Sequence, residues 1–298
     1  VDRSTDLPSG QGFGYSQKIS MDASESSLDA ADKLVIQQKF EGQNLQLLAK
    51  GTSGAKKTTV SFFVKSSVAS TYTVELVDND NTRQLSKSYT INSANTWERK
   101  TLTFEGDTSG SLDTDTNTSM TLNIYIDTGT DHTSGTFNDS AWASTDDTKR
   151  VFNTTGWLES TSPEFYITGV QWELGEVATP FEHRSVGDEL HRCQRYYQAP
   201  TSNGMFAGTT NGSTQITNIG VPLVTPLRAA PTASTLAATP TGWHGNNSGV
   251  SGATTAPTLS VDAGHSTTIK MTIGGFSGLT DNRNATIALN GLVLDSEL

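Results

Sequence analysis

The chain has 298 residues and a net charge of −11, and the charge is unevenly placed. Residues 1–183 hold 14 Lys/Arg against 25 Asp/Glu, whereas residues 184–298 hold 6 of each. An acidic N-terminal part without basic clusters argues against nucleic-acid binding and against docking on anionic membranes, because phosphate affinity rests on grouped Lys/Arg. Cys193 is the single cysteine, so no intrachain disulfide framework exists and stability must come from packing or self-association.

No run reaches the ~18 apolar residues of a membrane span, and no signal peptide opens the sequence. Its first residue is Val1 rather than Met, which weakens any argument from a missing leader. Gly, Ser, Thr, Asn and Asp are abundant and Leu is scarce, which favours turn-rich β structure over helices.

Residues 1–12 carry no periodicity and read as an arm or linker. Strands are expected from Phe13, with Tyr15, Ile19 and Met21 in step, and again at Leu34, Ile36 and Phe40. Leu45, Leu47 and Leu48 suggest a brief helical turn. Val60, Phe62 and Val64 alternate with polar neighbours, as do Tyr72, Val74 and Leu76. Tyr89 and Ile91 follow, then Trp97 opening a strand with Leu102 and Phe104. Met120, Leu122, Ile124 and Ile126 give the cleanest alternation. Short strands spaced by Asn/Asp/Gly/Ser turns are the pattern of a sandwich, so residues 13–183 read as an antiparallel jelly roll. Long polar loops at 106–118 and 128–162 break the spacing, and loops of that length carry a function or an interface.

Ser185 followed by Asp188 resembles a capping box and starts a connecting helix over 184–198. Leu190, Cys193 and Tyr197 share one face of it. With Trp172 they form the expected seam between two domains, in which Cys193 is a small packing residue rather than a nucleophile. Near Thr168-Gly169 the apolar parity changes. Either a β-bulge lies there, or Tyr166 faces the core while Phe165 and Ile167 face a neighbour. Residues 199–298 read as a smaller β domain with a thin core, which favours self-association. Asn211-Gly212 and Asn290-Gly291 mark two hairpins, and 239–257 reads as a long loop. The fold class is therefore all-β: a jelly roll, a short helix and a second, sandwich-like domain.

The sequence holds no nucleophile elbow, zinc-protease motif, P-loop or cysteine cluster, and no enzyme is expected. Asp113, Asp115 and Asn117 begin like a calcium loop, and Asp78 and Asp80 are also two apart. The sixth and twelfth positions, Thr118 and Ile124, depart from the EF-hand, so turn chemistry is the commoner reading and a structural calcium stays open. Sugars are held by flat aromatic faces flanked by amides and carboxylates. Trp142 and Trp157 in the loop 128–162, Trp243 in the second domain, and Tyr125 on the face opposite Ile124 are candidates for that use. Plugging of the sandwich ends or interface packing is the commoner fate of Trp142 and Trp157, and core packing that of Trp97 and Trp172.

The stretch FYITGVQWELGEVATPFEHRSVGDELHRCQRYYQ resembles a segment recurring in tail-fibre and other virion structural proteins of marine tailed bacteriophages. KFEGQNLQLLAKGTSGAKKTTVSFFVKSS, YTVELVDNDNTRQLSKSYTI and TWERKTLTFEGDTSGSLD look like strands of the same family, and VPLVTPLRAAPTAST and the terminal DSEL look like its C-terminal β domain. The resemblance implies a jelly roll similar to carbohydrate-binding modules, a virion location and a homo-oligomer, with a trimer favoured. Its expected partners are other virion proteins and host surface polysaccharide. Three functions compete: a tail-fibre or receptor-binding subunit, a head decoration, head fibre or tail adaptor, and a glycan depolymerase. The family supplies no catalytic residues.

Overall fold

A computed structural model describes the chain except residues 26, 201–203, 213, 234–240, 245–247, 251–267, 281–282, 290–291 and 298. The chain divides into two compact units, Val1–Glu182 and His183–Leu298.

The first unit is a jelly roll. Its strands are β1 (Asp2–Ser4), β2 (Ser16–Ser20), β3 (Lys33–Glu41), β4 (Thr58–Ser66), β5 (Thr71–Asp78), β6 (Arg83–Thr90), β7 (Glu98–Phe104), β8 (Thr118–Thr128), β9 (Ala143–Ser144) and β10 (Glu164–Leu174). They form two five-stranded sheets, β1-β2-β10-β4-β7 and β3-β8-β5-β6-β9, with every pair antiparallel. The alternation builds the core directly. Val60, Phe62 and Val64 from β4, Tyr72, Val74 and Leu76 from β5, and Met120, Leu122, Ile124 and Ile126 from β8 are all buried in one cluster. Leu45 and Leu48 join it from two 3-10 turns, while Leu47 points to solvent.

The parity change in β10 is a bulge. Pairing with β4 shifts register between Thr168 and Gln171, Phe165 and Ile167 are buried in the core, and Val170 is exposed. Gly169 makes the bulge possible: its φ is +62°, and a Cβ there would overlap the Phe13 ring. The reading with an apolar outer patch of Phe165 and Ile167 is thereby ruled out.

Two expectations for the N-terminal region need correction. Residues 1–12 are no free arm, because β1 pairs with β2 and Asp6 anchors the segment. Asp6 is ion-paired with Lys65 and accepts the Trp97 Nε1–H at 2.8 Å. Phe13 and Tyr15 precede the strand rather than open it. Phe13 packs edge-on against Phe63 and Phe181 outside the sandwich, and Tyr15 is exposed. Trp97 likewise lies outside the core, edge-on to Tyr166.

After β10 the chain turns at Gly175 and runs back over the outer face of its own sheet. Glu173 receives Thr179 N–H (2.9 Å) and Thr179 Oγ1–H (2.7 Å), Gln171 Oε1 receives Glu182 N–H (2.8 Å), and Arg99 Nη2 donates to Thr179 O (2.6 Å). The residues of the Q-W-E…T-P-F-E run thus encode a polar clamp on the exit of the chain.

The second unit contains α1 (Val186–Gln194), β11 (Tyr197–Gln198), β12 (Gly204–Asn211), β13 (Gln215–Pro222), β14 (Thr232–Ala233), β15 (Thr241–His244), β16 (Ser248–Val250), β17 (Thr268–Ile273), β18 (Asn284–Leu289) and β19 (Leu294–Asp295). A six-stranded sheet runs β16-β15-β18-β12-β13-β17, and a three-stranded one runs β11-β19-β14. Ile216, Ile219, Val221, Ile269, Met271, Ile273, Ile287 and Leu294 lie in its core.

The Asn211-Gly212 turn joins β12 to β13 as expected, with Gly212 at φ +65°. The second hairpin does not form: β18 and β19 belong to different sheets, and Asn290 and Gly291 lie outside the described residues. Within 239–257, β15 and β16 replace part of the expected loop.

The helix starts as its sequence dictates, with Ser185 Oγ accepting Asp188 N–H at 3.1 Å and donating to Asp188 Oδ2 at 2.7 Å. Among the described residues of the second unit, none covers the expected apolar face. Leu190 and Tyr197 are 56% and 46% exposed, and Cys193 is exposed as well. The helix end is held by polar contacts instead: Gln198 Nε2 donates to Gln194 O and Thr225 O. Trp172 sits in the jelly roll, its ring tilted against Phe40 at 4.8 Å.

Candidate functional site

The sheet β3-β8-β5-β6-β9 has a second face, away from the core, and most of its side chains are polar. Register places Gln37, Asn123, Glu75 and Ser86 in one row across four strands, with Val35, Tyr125, Thr73 and Ser88 in the next. Thr73, Glu75, Ser86, Asn123 and Tyr125 are buried nonetheless. A polar sheet face can be buried only where something both covers it and hydrogen-bonds to it.

The cover is the long loop after β8, pinned strand by strand. Gln84 clamps the Asp146 backbone, donating from Nε2 to its O (3.2 Å) and accepting its N–H on Oε1 (3.1 Å). Arg150 Nη1 reaches Glu75 Oε1 at 2.8 Å, and Phe152 N–H reaches Thr73 Oγ1 at 3.1 Å. Asp127 then receives Thr155 N–H (2.8 Å) and Leu158 N–H (2.9 Å).

Glu75 is the centre of this face and is fully buried. Its Oε2 accepts from Asn123 Nδ2 at 2.9 Å and Tyr125 OH at 3.0 Å, while Oε1 accepts from Arg150. Every partner is a donor, which suits the carboxylate form. Burial pushes the Glu75 carboxyl up, and Arg150, Asn123 and Tyr125 push back. Burial works against the Arg150 guanidinium too, yet Glu75 and Asp147 hold it above the ordinary arginine value. Burial, and then the Glu75 charge, raise the Tyr125 phenol. With all three groups engaged in one another, Glu75 has no free role as an acid or base.

The network comes to the surface at one edge. Gln37 is exposed and donates from Nε2 to Asn123 Oδ1 at 2.9 Å. At the rim of the covering loop, Phe152 is half exposed and meets Phe137 edge-on at 5.5 Å. Ser86 Oγ and His132 Nδ1 are buried without hydrogen-bond partners among the described residues. Amides, hydroxyls and an open aromatic ring on one face are the kinds of group that hold a neutral polyhydroxylated ligand.

Burial corrects two of the sugar-stacking candidates. Trp157 is fully buried in the sandwich core, and Tyr125 is covered and bonded to Glu75. Trp142 is partly buried, packs against the core and donates its Nε1–H to Glu105 O at 2.6 Å. Trp243 lies in β15, and its side chain is outside the described residues.

The acidic pairs bond to main-chain N–H groups of their own turns and of a neighbouring loop. Asp80 Oδ2 accepts Asp113 N–H at 2.9 Å and Asp115 Oδ1 accepts Asn117 N–H at 2.8 Å. Asp78 accepts Asn81 N–H at 3.0 Å and is ion-paired with Lys50. No group of three or more His, Cys, Asp and Glu among the described residues is placed to hold a metal.

Sequence reasoning did not find Gln37, Glu75, Gln84, Asn123 or Arg150. The available signal was a charged or amide residue between two core residues, as in Val74-Glu75-Leu76 and Leu122-Asn123-Ile124, together with a long loop able to cover it.

No family model matches the chain, and no curated protein matches it. Among solved structures, a protein from Parabacteroides distasonis inferred to be secreted is 10% identical over 95% of this chain and 82% of its own, with a TM-score of 0.21. A score that low carries no argument about function.

Proposed function

We propose that this chain is a non-catalytic attachment subunit of a tailed-phage appendage, which holds host surface glycan at the edge of the polar sheet face. The observation that carries this reading is the network Gln37–Asn123–Glu75–Arg150, which reaches solvent at Gln37 and lies under a loop that carries the half-exposed Phe152. The resemblance of the Tyr166–Tyr197 stretch to virion proteins supports the setting, and several copies would multiply weak sugar contacts.

The test is binding of the assembled protein to a panel of bacterial surface polysaccharides. Saturable binding, weakened at least tenfold in a Gln37→Ala/Phe152→Ala variant of unchanged Tm, is the expected result. No binding to any member of the panel would overturn the reading, and release of sugar would replace it with a depolymerase.

A second reading is a head decoration, head fibre or tail adaptor that touches only other virion proteins. Exposure of Val186, Leu190 and Tyr197 favours it. Antibody labelling of virions locates the protein and separates the two.

A further inference from the structure

Lys50, in the middle of the connection between β3 and β4, points its ammonium into a cage of oxygens. Nζ is ion-paired with Asp78 Oδ2, and lies 3.0 Å from Asp107 Oδ2, 2.8 Å from Ser109 O and 2.9 Å from Gly110 O. The Lys50 side chain is 4% exposed, and those of Asp78 and Asp107 are 0% and 3%. An ordinary buried ion pair sets one amine against one carboxylate. Here a group with three N–H bonds faces four acceptors from two separate parts of the chain, Asp78 and residues 107–110. Two carboxylates plus two successive main-chain carbonyls are the donor set of a hard-cation site.

The oxygens are held in place independently of the lysine. Asn81 donates to Asp78 from N (3.0 Å) and Nδ2 (2.9 Å), and Ser109 N–H binds Asp107 Oδ1 (3.0 Å). Arg83 grips Asp107 with Nε at 2.6 Å and Nη2 at 3.0 Å. The two loops approach so closely that glycine is required on each. A Cβ on Gly51 would lie 2.6 Å from Ser111 N, one on Gly110 would overlap Asn81, and both residues have positive φ. The Trp142 ring stands 5.7 Å from Nζ. A cavity of about 20 Å³, lined in part by Lys50, Asp107 and Trp142, adjoins the cage and has room for one water.

We propose that this is a cation-binding site whose cation the chain supplies itself, so that truncating Lys50 turns it into a site for a small free cation. Arg83 already offsets one of the two carboxylates, and the cage therefore balances a single positive charge, such as an alkylammonium ion. Calcium fits the donor set but exceeds that charge by one.

The experiment compares Tm of wild type, Lys50→Ala and Lys50→Met in NaCl, methylammonium chloride and CaCl2 at matched ionic strength. Lys50→Met keeps the stem in the cage and leaves no space for an ion. The expected result is a saturable rise with methylammonium, recovering at least half of the lost Tm, in Lys50→Ala alone. A saturable rise with calcium confined to that variant also supports the site. Equal responses in all three proteins would overturn it. Should Lys50→Ala stay insoluble in every salt, wild type decides. A Tm indifferent to calcium and chelator supports a filled cage, and a saturable calcium-induced rise sinks the proposal.

Discussion

Arg150→Met tests the covered sheet face most directly. The substitution removes a guanidinium whose side chain is 15% exposed from a carboxylate that is 0% exposed, while keeping most of the stem that packs there. Removing one partner of a buried pair costs about 3–5 kcal/mol, because the other charge stays behind uncompensated. Asn123 and Tyr125 still donate to Glu75, which places the cost near the low end, about 3 kcal/mol. For a unit of this size that is a loss of roughly 6–12 °C in Tm.

The variant also carries a pH signature. Burial already holds the folded-state pKa of Glu75 above its ordinary value, and loss of Arg150, which opposes that shift, raises it further. The folded state then binds the extra proton, so the lost stability returns as pH falls through the raised pKa. Urea unfolding of the full chain at neutral and mildly acidic pH reads this out. Trp97, Trp142, Trp157 and Trp172, four of the five tryptophans, lie in the first unit and report on it. A cost below about 1 kcal/mol, or one independent of pH, would refute Glu75 as a buried, paired carboxylate.

Gly169→Ala should cost at least ~1–2 kcal/mol from the left-handed backbone alone, plus the overlap with Phe13. Thermal melts of Gly169→Ala with and without Phe13→Ala separate the two terms, since only the overlap is relieved in the double variant. Glu98 caps the turn at Asn92 and Ser93. Burial opposes its charge, but Lys100 and that turn hold its pKa at about 2, down from 4.5. Its stabilisation is full above the unfolded value and disappears as pH falls towards 2, so Glu98→Gln should flatten the acid limb of a Tm-against-pH curve. An unchanged limb would contradict that assignment. Ser185→Ala removes the helix cap and should cost about 1 kcal/mol of local stability. Amide hydrogen exchange within α1 should rise while the core strands stay protected.

The jelly roll was legible because alternation is a local signal. Met120 to Ile126 and Val60 to Val64 state their facing without reference to anything distant. The bulge was half legible: the parity break at Thr168-Gly169 was visible, but which side of it faces the core depends on pairing with β4. The helix start could be read from Ser185 and Asp188 alone. What covers each surface could not be read, because it depends on contacts far apart in sequence. Tyr125 reads as an open outer-face aromatic until Arg150 and its loop, dozens of positions later, fold over it. Asp78 reads as a turn or metal residue until Lys50 arrives from another connection. The β18–β19 hairpin was misread for the same reason, since an Asn-Gly turn signal says nothing about competition from β11 and β14 for the same strand.

The polar clamp on the exit of the chain has a mechanical consequence. Tension applied from the C-terminal side meets the Glu182–Gln171, Thr179–Glu173 and Arg99–Thr179 contacts before it reaches β10. Those bonds lie on the surface and can yield one at a time. Their release, together with that of the Phe181–Phe13 ring contact, frees residues 177–182, about 20 Å of extended chain, while Gly175 and Glu176 stay bonded to Lys57, Thr59 and Thr103. Only then does the load pass to β10, which is hydrogen-bonded on both sides, to β2 and to β4. The first unit therefore carries a short length of slack in series with an interior strand of its sheet, an arrangement that takes up a sudden pull before the sandwich itself is strained.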